Sequence, residues 1–548
     1  MKLKHFILSL IFCVFIVAST YATSNNYPIL VSFYDGDTLI QSSYYQPYAI
    51  FDFPTNLSKI GYSFDGWKLD DTFISSKQTN YFLPYSDSEY RFETVWVPLN
   101  TDKLKIDENG CLLQCLDKNI TKITIPGNVT SIGNRAFSDC KKLTQIIIST
   151  EVTSIGEYAF VDCISLTDIT IPDSVTYIGK WAFSGCKSLS EIVIPNNVTS
   201  IEDGTFDRCV NLHEVTISDS VTYIGKWAFY GCINLHEVTI PDSVTYIGDS
   251  AFYGCENLSM IEIPYGVTSI EDYTFYGCEN LNEVTIPDSV TNIGDSAFFN
   301  CKSIFRIIIP DNVTNIGDTA FYGCSLLHYI TTITSLLDYI PSDNLSHTKS
   351  ILPDSVTSIG NSAFANCINL SEIIIPNSVT FIGGGVFYNC SSLKKATLGN
   401  GITELNAMPT KSETVFDGFF ESCKSLTEIT LPNSLKFIDQ CTFSGCSSLA
   451  EITIPDSVTE IGEFAFLECQ SLVEITIPNN VTKIGELAFA VCINLKKVAI
   501  GNGLTSIEEN VFFLCDDIET IYIDKEKESI LGAPWGSYRP TVYWKGEF

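Results

Sequence analysis

The chain has 548 residues, of which 45% are hydrophobic and 18% charged, so it can build several domains or one long repeat array. Aspartate and glutamate total 64 against 32 lysines and arginines, which gives a net charge of −32. This balance argues against nucleic acid and anionic membrane surfaces as partners, because both are bound through positive charge. Five histidines leave little material for general-base chemistry.

Residues 1–22 are typical of a secretory signal peptide. Lys2 and Lys4 form a basic start, residues 6–18 are apolar, and Ala22 supplies the small residue before a cleavage site. An uncleaved membrane anchor is the alternative, although the apolar run is shorter than the ~20 residues that a spanning helix needs. We therefore expect a secreted or cell-surface protein.

Residues 27–99 predict a small, separate β-rich domain. Residues 31–39 alternate apolar and polar side chains around a turn, and residues 61–67 and 93–96 supply further strands. The stretch Gly-Tyr-Ser-Phe-Asp-Gly-Trp at 61–67, with a later Val-Trp at 95–96, resembles the internalin-type B-repeat. That resemblance implies a β-grasp-like module of a bacterial surface protein. An unrelated small β-domain is the alternative.

The body of the chain is one repeated motif. Sixteen cysteines recur mainly at intervals of 23 residues, each with phenylalanine three residues before it and leucine or isoleucine three residues after it. Residues 100–122, with Cys111 and Cys115, are predicted to cap the array, which occupies residues 123–524, and residues 525–548 to close it. Two stretches, 325–352 and 406–415, break the period. They are binding loops or tolerated drift.

One unit is too small to fold alone, but stacked units share a core. In the unit that starts at Cys209, Val215 and Ile217 alternate with Glu214 and Thr216, which predicts a short strand. The apolar positions that follow predict an irregular or short helical return. The period and the pattern Leu-x-x-Val-x-Ile are typical of a leucine-rich repeat solenoid.

The unit resembles the BspA-type leucine-rich repeat, as in Ile-Pro-Asp-Ser-Val-Thr-Tyr-Ile-Gly-Asp-Ser-Ala-Phe-Tyr-Gly-Cys-Glu-Asn-Leu at 240–258. The resemblance implies a right-handed α/β solenoid of 23-residue units on a secreted or surface protein, with adhesion as a role of some members. The sixteen periodic cysteines are expected to point inward on one line, too far apart for disulfides. Cys111 and Cys115 either form a bridge or occupy simple core positions.

The outward strand positions of such a solenoid are expected to line its concave surface. Glutamate and threonine recur there, and the acidic runs are either a surface for a basic partner or Ca²⁺, or a solubilising feature copied by duplication. The candidate ligand-binding residues are Glu191, Glu214, Glu237, Glu283, Glu428, Glu451, Glu474, Thr216, Thr239, Thr430, Thr453 and Thr476.

These observations favour a non-catalytic recognition or adhesion protein that binds an extracellular protein or cell-surface ligand. No cofactor or resident metal site is expected. A passive surface-layer or spacer protein without a ligand is the first alternative. A hydrolase that uses the repeats as a scaffold is the second, although the sequence carries neither Gly-x-Ser-x-Gly nor His-Glu-x-x-His.

Overall fold

The computed structural model describes residues 29–46, 49–54, 57, 62–69, 72–75, 80–82, 89–98, 101–332, 350–406, 408–409, 416–526, 530, 535–537 and 540–547. The predicted signal peptide, residues 1–22, lies outside the described residues. The chain divides into two compact units, Met1–Thr101 with Thr124–Gly127 and Asp102–Ile123 with Asn128–Phe548. No helix in the described ranges is long and apolar enough to cross a membrane.

The described residues of the first unit form seven strands. They are β1 Ile29–Asp35, β2 Thr38–Tyr45, β3 Ile50–Asp52, β4 Tyr62–Leu69, β5 Thr72–Ser75, β6 Asn80–Phe82 and β7 Tyr90–Pro98. Five of them form a mixed sheet in the order β2-β1-β7-β4-β5, in which only β1 and β7 run parallel. The strands β3 and β6 form a separate antiparallel pair.

Aromatic side chains fill the core of the first unit. The Phe33 ring is buried, and its centroid lies 4.9 Å from that of Trp67 and 5.4 Å from that of Phe92. Phe51 and Phe53 meet the same ring edge to face at 5.8 and 5.9 Å. Aromatic rings thus form the core of this unit, while the likeness to a β-grasp B-repeat stays a prediction.

Most described coils of the second unit contain two short strands, whereas the coil that starts at Cys446 has only the second, Glu460–Ile461. In the coil that starts at Cys209, Glu214–Thr216 is the first strand and Tyr223–Ile224 the second. Val215 and Ile224 point into the core and are buried, whereas Glu214 and Thr216 are exposed. The branched residues favour extended backbone, and the period of two sends their neighbours outward.

The first strands of successive coils pair in parallel and form one face of the solenoid, divided into sheets of three, five, two, three and four strands. Their bounds are Lys122–Thr124, Gln145–Ile147, Asp168–Thr170, Glu191–Val193, Glu214–Thr216, Glu237–Val238, Met260–Glu262, Glu283–Thr285, Arg306–Ile308, Tyr329–Thr331, Glu372–Ile374, Lys395–Thr397, Glu428–Thr430, Glu474–Ile477, Lys497–Ile500, Thr520–Ile523 and Thr541–Trp544. We call this surface the first-strand face.

The second strands form a separate series of parallel pairs. The series begins with an antiparallel pair, Leu104–Ile106 with Cys111–Cys115. The rest are Ser131–Ile132, Ser154–Ile155, Tyr177–Ile178, Ser200–Ile201, Tyr223–Ile224, Tyr246–Ile247, Ser269–Ile270, Asn292–Ile293, Asn315–Ile316, Ser358–Ile359, Phe381–Ile382, Glu404–Leu405, Phe437–Ile438, Glu460–Ile461, Lys483–Ile484 and Ser506–Ile507.

The return segment of each coil is a run of tight turns, so the α/β prediction is wrong. The backbone N–H of Phe229 donates to the Ala251 carbonyl of the next coil, at 2.8 Å, whereas that of Tyr230 donates to Trp227 within its own coil. Trp227 has a φ of +55°, which a right-handed helix does not allow. Among the described residues the only helix is the short 3-10 turn Thr101–Lys103.

The glycine of the recurring Ile-Gly pair allows neighbouring coils to approach each other closely. A Cβ on Gly225 would lie 2.6 Å from the backbone nitrogen of Asp203 in the preceding coil, which is too close for any side chain. Gly225 has no positive φ, so the space it leaves, rather than a left-handed bend, is what the position requires.

Rows of identical side chains fill the core of the second unit. The rings of Phe206, Phe229 and Phe252 stack at 5.5 and 5.3 Å, and all three are fully buried. The sixteen periodic cysteines are buried and unbridged, as the inward-pointing prediction requires. The thiol of Cys232 donates to the carbonyl of Phe206 at 3.2 Å, and equivalent contacts recur along the row.

The structure closes the alternative of a Cys111–Cys115 disulfide. The two residues begin and end a single five-residue strand. At about 3.3 Å per residue their Cα atoms are about 13 Å apart, beyond the 7 Å limit for a bridge.

The two irregular stretches are insertions, and the second strands on either side of each insertion pair directly with each other. Ile316 pairs with Ile359, 43 residues later, and Leu405 pairs with Ile438, 33 residues later, where other coils use 23. Residues 325–352 therefore belong to one enlarged coil, of which 333–349 lie outside the described residues. Of the second stretch, Met408–Pro409 pairs with Phe416–Asp417 just beyond it, and residues 407 and 410–415 lie outside the described residues.

Candidate functional site

All twelve candidate residues are exposed on the first-strand face. The pattern of one buried residue between two exposed ones recurs in strands such as Glu191–Val193, Glu214–Thr216 and Glu283–Thr285. The buried residue anchors the strand and fixes the direction of its neighbours. The face therefore presents a carboxylate and a hydroxyl from many of its coils.

Register places the first acidic group in a continuous row. Glu191 lies opposite Glu214, which lies opposite Glu237, and Met260 separates this row from Glu283. Carboxylates at a strand spacing of about 4.8 Å repel each other by somewhat under 1 kcal/mol per pair in water. A positive partner group would relieve that repulsion.

Cations divide the acidic row into separate groups. Arg306 lies opposite Tyr329, between the groups, and Lys395 lies opposite both Glu372 and Glu428. The Lys395 Nζ atom is 2.6 Å from Glu428 Oε2, and this carboxylate raises the pKa of Lys395. Because both side chains are about half exposed or more, solvent screens the pair and it contributes little to stability.

The structure brings Glu428, Glu451 and Glu474 together around one groove of about 640 Å³. Thr430, Thr453, Thr476 and Lys395 also line it. This groove, which we call the Glu451 groove, lies where the ladder is interrupted, because residues 451–453 carry no strand between Glu428–Thr430 and Glu474–Ile477. Hydroxyls and carboxylates on a wide opening suit a polar, positively charged ligand rather than a small apolar one.

A second, smaller groove of about 280 Å³ lies at another interruption of the ladder, between Asp168–Thr170 and Glu191–Val193. Glu191, Glu214 and Thr216 line it together with Asp168, which accepts a hydrogen bond from Gln145 Nε2 at 3.0 Å. Three of the six N-terminal candidates, Glu191, Glu214 and Thr216, thus share this groove. Glu237 and Glu283 are part of neither this groove nor the Glu451 groove.

Metal binding finds no geometric support on this face. In the described part of the chain, no group of three or more His, Cys, Asp or Glu side chains is arranged to hold a metal ion. The Glu residues of a row stand side by side on separate strands, whereas Ca²⁺ needs six to eight converging oxygens. Ca²⁺ binding by these residues therefore stays a prediction that this arrangement does not support.

Sequence reasoning missed a third groove, of about 500 Å³, which Tyr265 lines together with the candidate Thr239. Tyr265 is 74% exposed. The signal was available in the chain, since Tyr265-Gly266 stands where neighbouring units have Asp242-Ser243 and Asp288-Ser289. We call it the Tyr265 groove.

Comparisons with known proteins agree with this architecture. The family model described as BspA type Leucine rich repeat region (6 copies) matches residues 112–236, 223–351, 334–408 and 413–533, more than half of the chain. A search among curated proteins found no match.

Solved structures of leucine-rich repeat proteins are similar to this chain. The crystal structure of one from Bacteroides ovatus ATCC 8483 is 30% identical over 80% of this chain and 97% of that chain, with a TM-score of 0.51. A leucine rich cell surface protein from Faecalibacterium prausnitzii A2-165 is 28% identical over 78% of this chain and 94% of that chain, with a TM-score of 0.37.

Proposed function

Because the chain belongs to the BspA-type leucine-rich repeat family, we propose that it is a secreted or surface-displayed recognition protein. It binds an extracellular protein or a cell-surface ligand through the first-strand face and catalyses no reaction. The two similar crystal structures are those of repeat proteins, and one of these proteins is described as a cell surface protein.

The observation that carries the proposal is the Glu451 groove. Three glutamates and four threonines from adjacent coils open onto one volume of about 640 Å³. A rigid array of parallel coils presents them in fixed register, so little conformational freedom is lost on binding. The excess of carboxylates selects a partner with a basic surface, and attraction between the two speeds their encounter.

The test is binding of the chain without residues 1–22 to fibronectin-type matrix proteins, mucin and intact cells. The variant Glu428→Lys/Glu451→Lys/Glu474→Lys should lose saturable binding while its circular dichroism and melting curve stay unchanged. Reversing three charges at the site removes the attraction and adds repulsion.

A matched control reverses three exposed glutamates on the return segments, Glu463, Glu468 and Glu486. It changes the net charge by the same amount and should bind as wild type does. If both variants bind equally well, the Glu451 groove is not the site. If the wild-type chain binds none of these surfaces, the passive spacer replaces the proposal. A parallel assay with EDTA tests the Ca²⁺ alternative, because EDTA abolishes binding that requires Ca²⁺ and leaves direct binding to a basic partner unchanged.

A further inference from the structure

The Tyr265 groove differs in chemistry from the other two grooves. It is lined by strand ends and the turns that follow them, and the proline rings of Pro241, Pro264 and Pro287 give it apolar walls. Its volume of about 500 Å³ lies in the range of sites that hold a ligand group. No lysine or arginine lines it.

Tyr265 places an aromatic ring in this groove without covering it. The residue sits in a turn closed by the Val267 N–H, which donates to the Pro264 carbonyl at 3.0 Å. Its 74% exposure leaves the ring available to a ligand. Several other surface rings of the array stack on neighbours, as Tyr253 does on Tyr276 at 4.4 Å, so their faces are already partly covered.

The carboxylates of the groove have no partners within the described chain. Asp219, Asp242, Glu262 and Asp288 are exposed, and their side chains take part in no hydrogen bond or ion pair there. Elsewhere on the solenoid, carboxylates such as Asp203 and Asp249 are paired with Lys180 and Lys226, at 2.7 and 2.6 Å. The negative charge of the groove is therefore available to a ligand.

We propose that the Tyr265 groove binds a basic, extended segment of a protein partner, with one arginine or lysine head over the Tyr265 ring. The carboxylates at the groove neutralise the cationic groups, and the apolar stem of the side chain lies along the proline rings. The inference rests on the proposed function, because it supplies the partner chemistry for the same first-strand face.

A purely electrostatic attraction makes a different prediction, which allows a direct test. Replacing Tyr265 by aspartate restores the residue that the neighbouring units carry, so the fold tolerates it. The change adds a negative charge but removes the ring. Charge alone would tighten the binding of a cationic peptide, whereas loss of the ring weakens it.

The experiment measures fluorescence anisotropy of a fluorescein-labelled nona-arginine peptide with the full chain lacking residues 1–22, across a range of salt concentrations. Tyr265→Asp should raise Kd about two- to fivefold, the size of an exposed cation–π contact. Tyr265→Phe, which keeps the ring, should bind as wild type does. Tyr177→Ser, on the second strand series, is the aromatic control outside the groove.

Two charge-matched variants distinguish peptide binding at the Tyr265 groove from attraction to the overall negative charge of the chain. Asp242→Asn/Glu262→Gln/Asp288→Asn should raise Kd about tenfold and flatten its salt dependence. Glu428→Gln/Glu451→Gln/Glu474→Gln removes the same charge at the Glu451 groove and should raise the Kd of this peptide less. Equal effects of the two variants would overturn the proposal, as would tighter binding by Tyr265→Asp.

The outcomes distinguish the two proposals. If matrix or cell binding persists in Tyr265→Asp and the peptide series shows no dependence on the ring, the inference fails and the proposed function stands. If the peptide requires Tyr265 while no matrix protein or cell is bound, the groove is a cation-binding site and the proposed function fails.

Discussion

Replacing Phe229 by alanine tests how the array is held together. The ring is fully buried and stacks between Phe206 and Phe252, with interplanar angles of 13° and 11°. Burial of a phenylalanine of this kind is worth about 3–5 kcal/mol against alanine, because the transfer term and the cavity add. Backbone hydrogen bonds fix the distance between coils, as from the Phe229 N–H to the Ala251 carbonyl at 2.8 Å, so the coils cannot move together to fill the cavity.

The assay is hydrogen exchange of the coils around the substitution, read by mass spectrometry. Stability in a solenoid is a sum of nearest-neighbour terms, so protection should fall locally. Peptides that contain Glu214–Thr216 and Glu237–Val238 should exchange about 10²- to 10⁴-fold faster, while those near Phe489 stay unchanged. Tyr177→Ala, at a residue that is 41% exposed, is the control and should alter exchange little. Unchanged protection in Phe229→Ala would refute the role of the phenylalanine row as core.

Two further predictions concern buried polar groups. Asp207 is buried and accepts a hydrogen bond from Ser184, and burial raises its pKa above the ordinary value. Because the folded chain favours the protonated carboxyl group, Asp207 contributes stability below its unfolded pKa, and this contribution is lost as the pH rises through its folded pKa. Asp207→Asn should therefore raise the urea midpoint at neutral pH but not below about pH 4. Burial raises the pKa of Cys390 to about 12. Because the sixteen periodic cysteines are all buried, their thiols should resist iodoacetamide in the native chain, and all should react once the chain is unfolded without reductant. A row thiol that stays unreactive in denaturant would reveal a bridge.

The spacing of the sequence was sufficient to predict the core and the outward positions. Phe229, Cys232 and Val215 recur at fixed intervals, and a side chain that recurs in every coil must meet its own copies when the coils stack. The same reasoning assigned Glu214 and Thr216 to the surface, where the structure places them.

The turns of the return segment could not be predicted in this way. The left-handed position is occupied by Trp227, Ser250, Tyr273 and Thr319, residues with no shared preference for a positive φ. Hydrogen bonds to the next coil impose that conformation, and such bonds are invisible in one unit considered alone.

The interruption of the ladder was equally hidden. Glu-Ile-Thr-Ile occurs at both 451–454 and 474–477, yet only the second copy forms a strand. Local sequence is identical, so position within the array decides which copy pairs. The Glu451 groove therefore depends on context that no residue pattern encodes, whereas Tyr265 was readable as a departure from the repeat.

The antiparallel start of the second strand series has a consequence for self-assembly. Leu104–Ile106 runs against Cys111–Cys115, while every later pair in that series runs parallel. The last coil of another copy would meet an edge whose hydrogen-bond pattern differs from the one it continues. Head-to-tail growth into filaments, to which repetitive arrays with open edges are prone, is thereby opposed at this end of the solenoid.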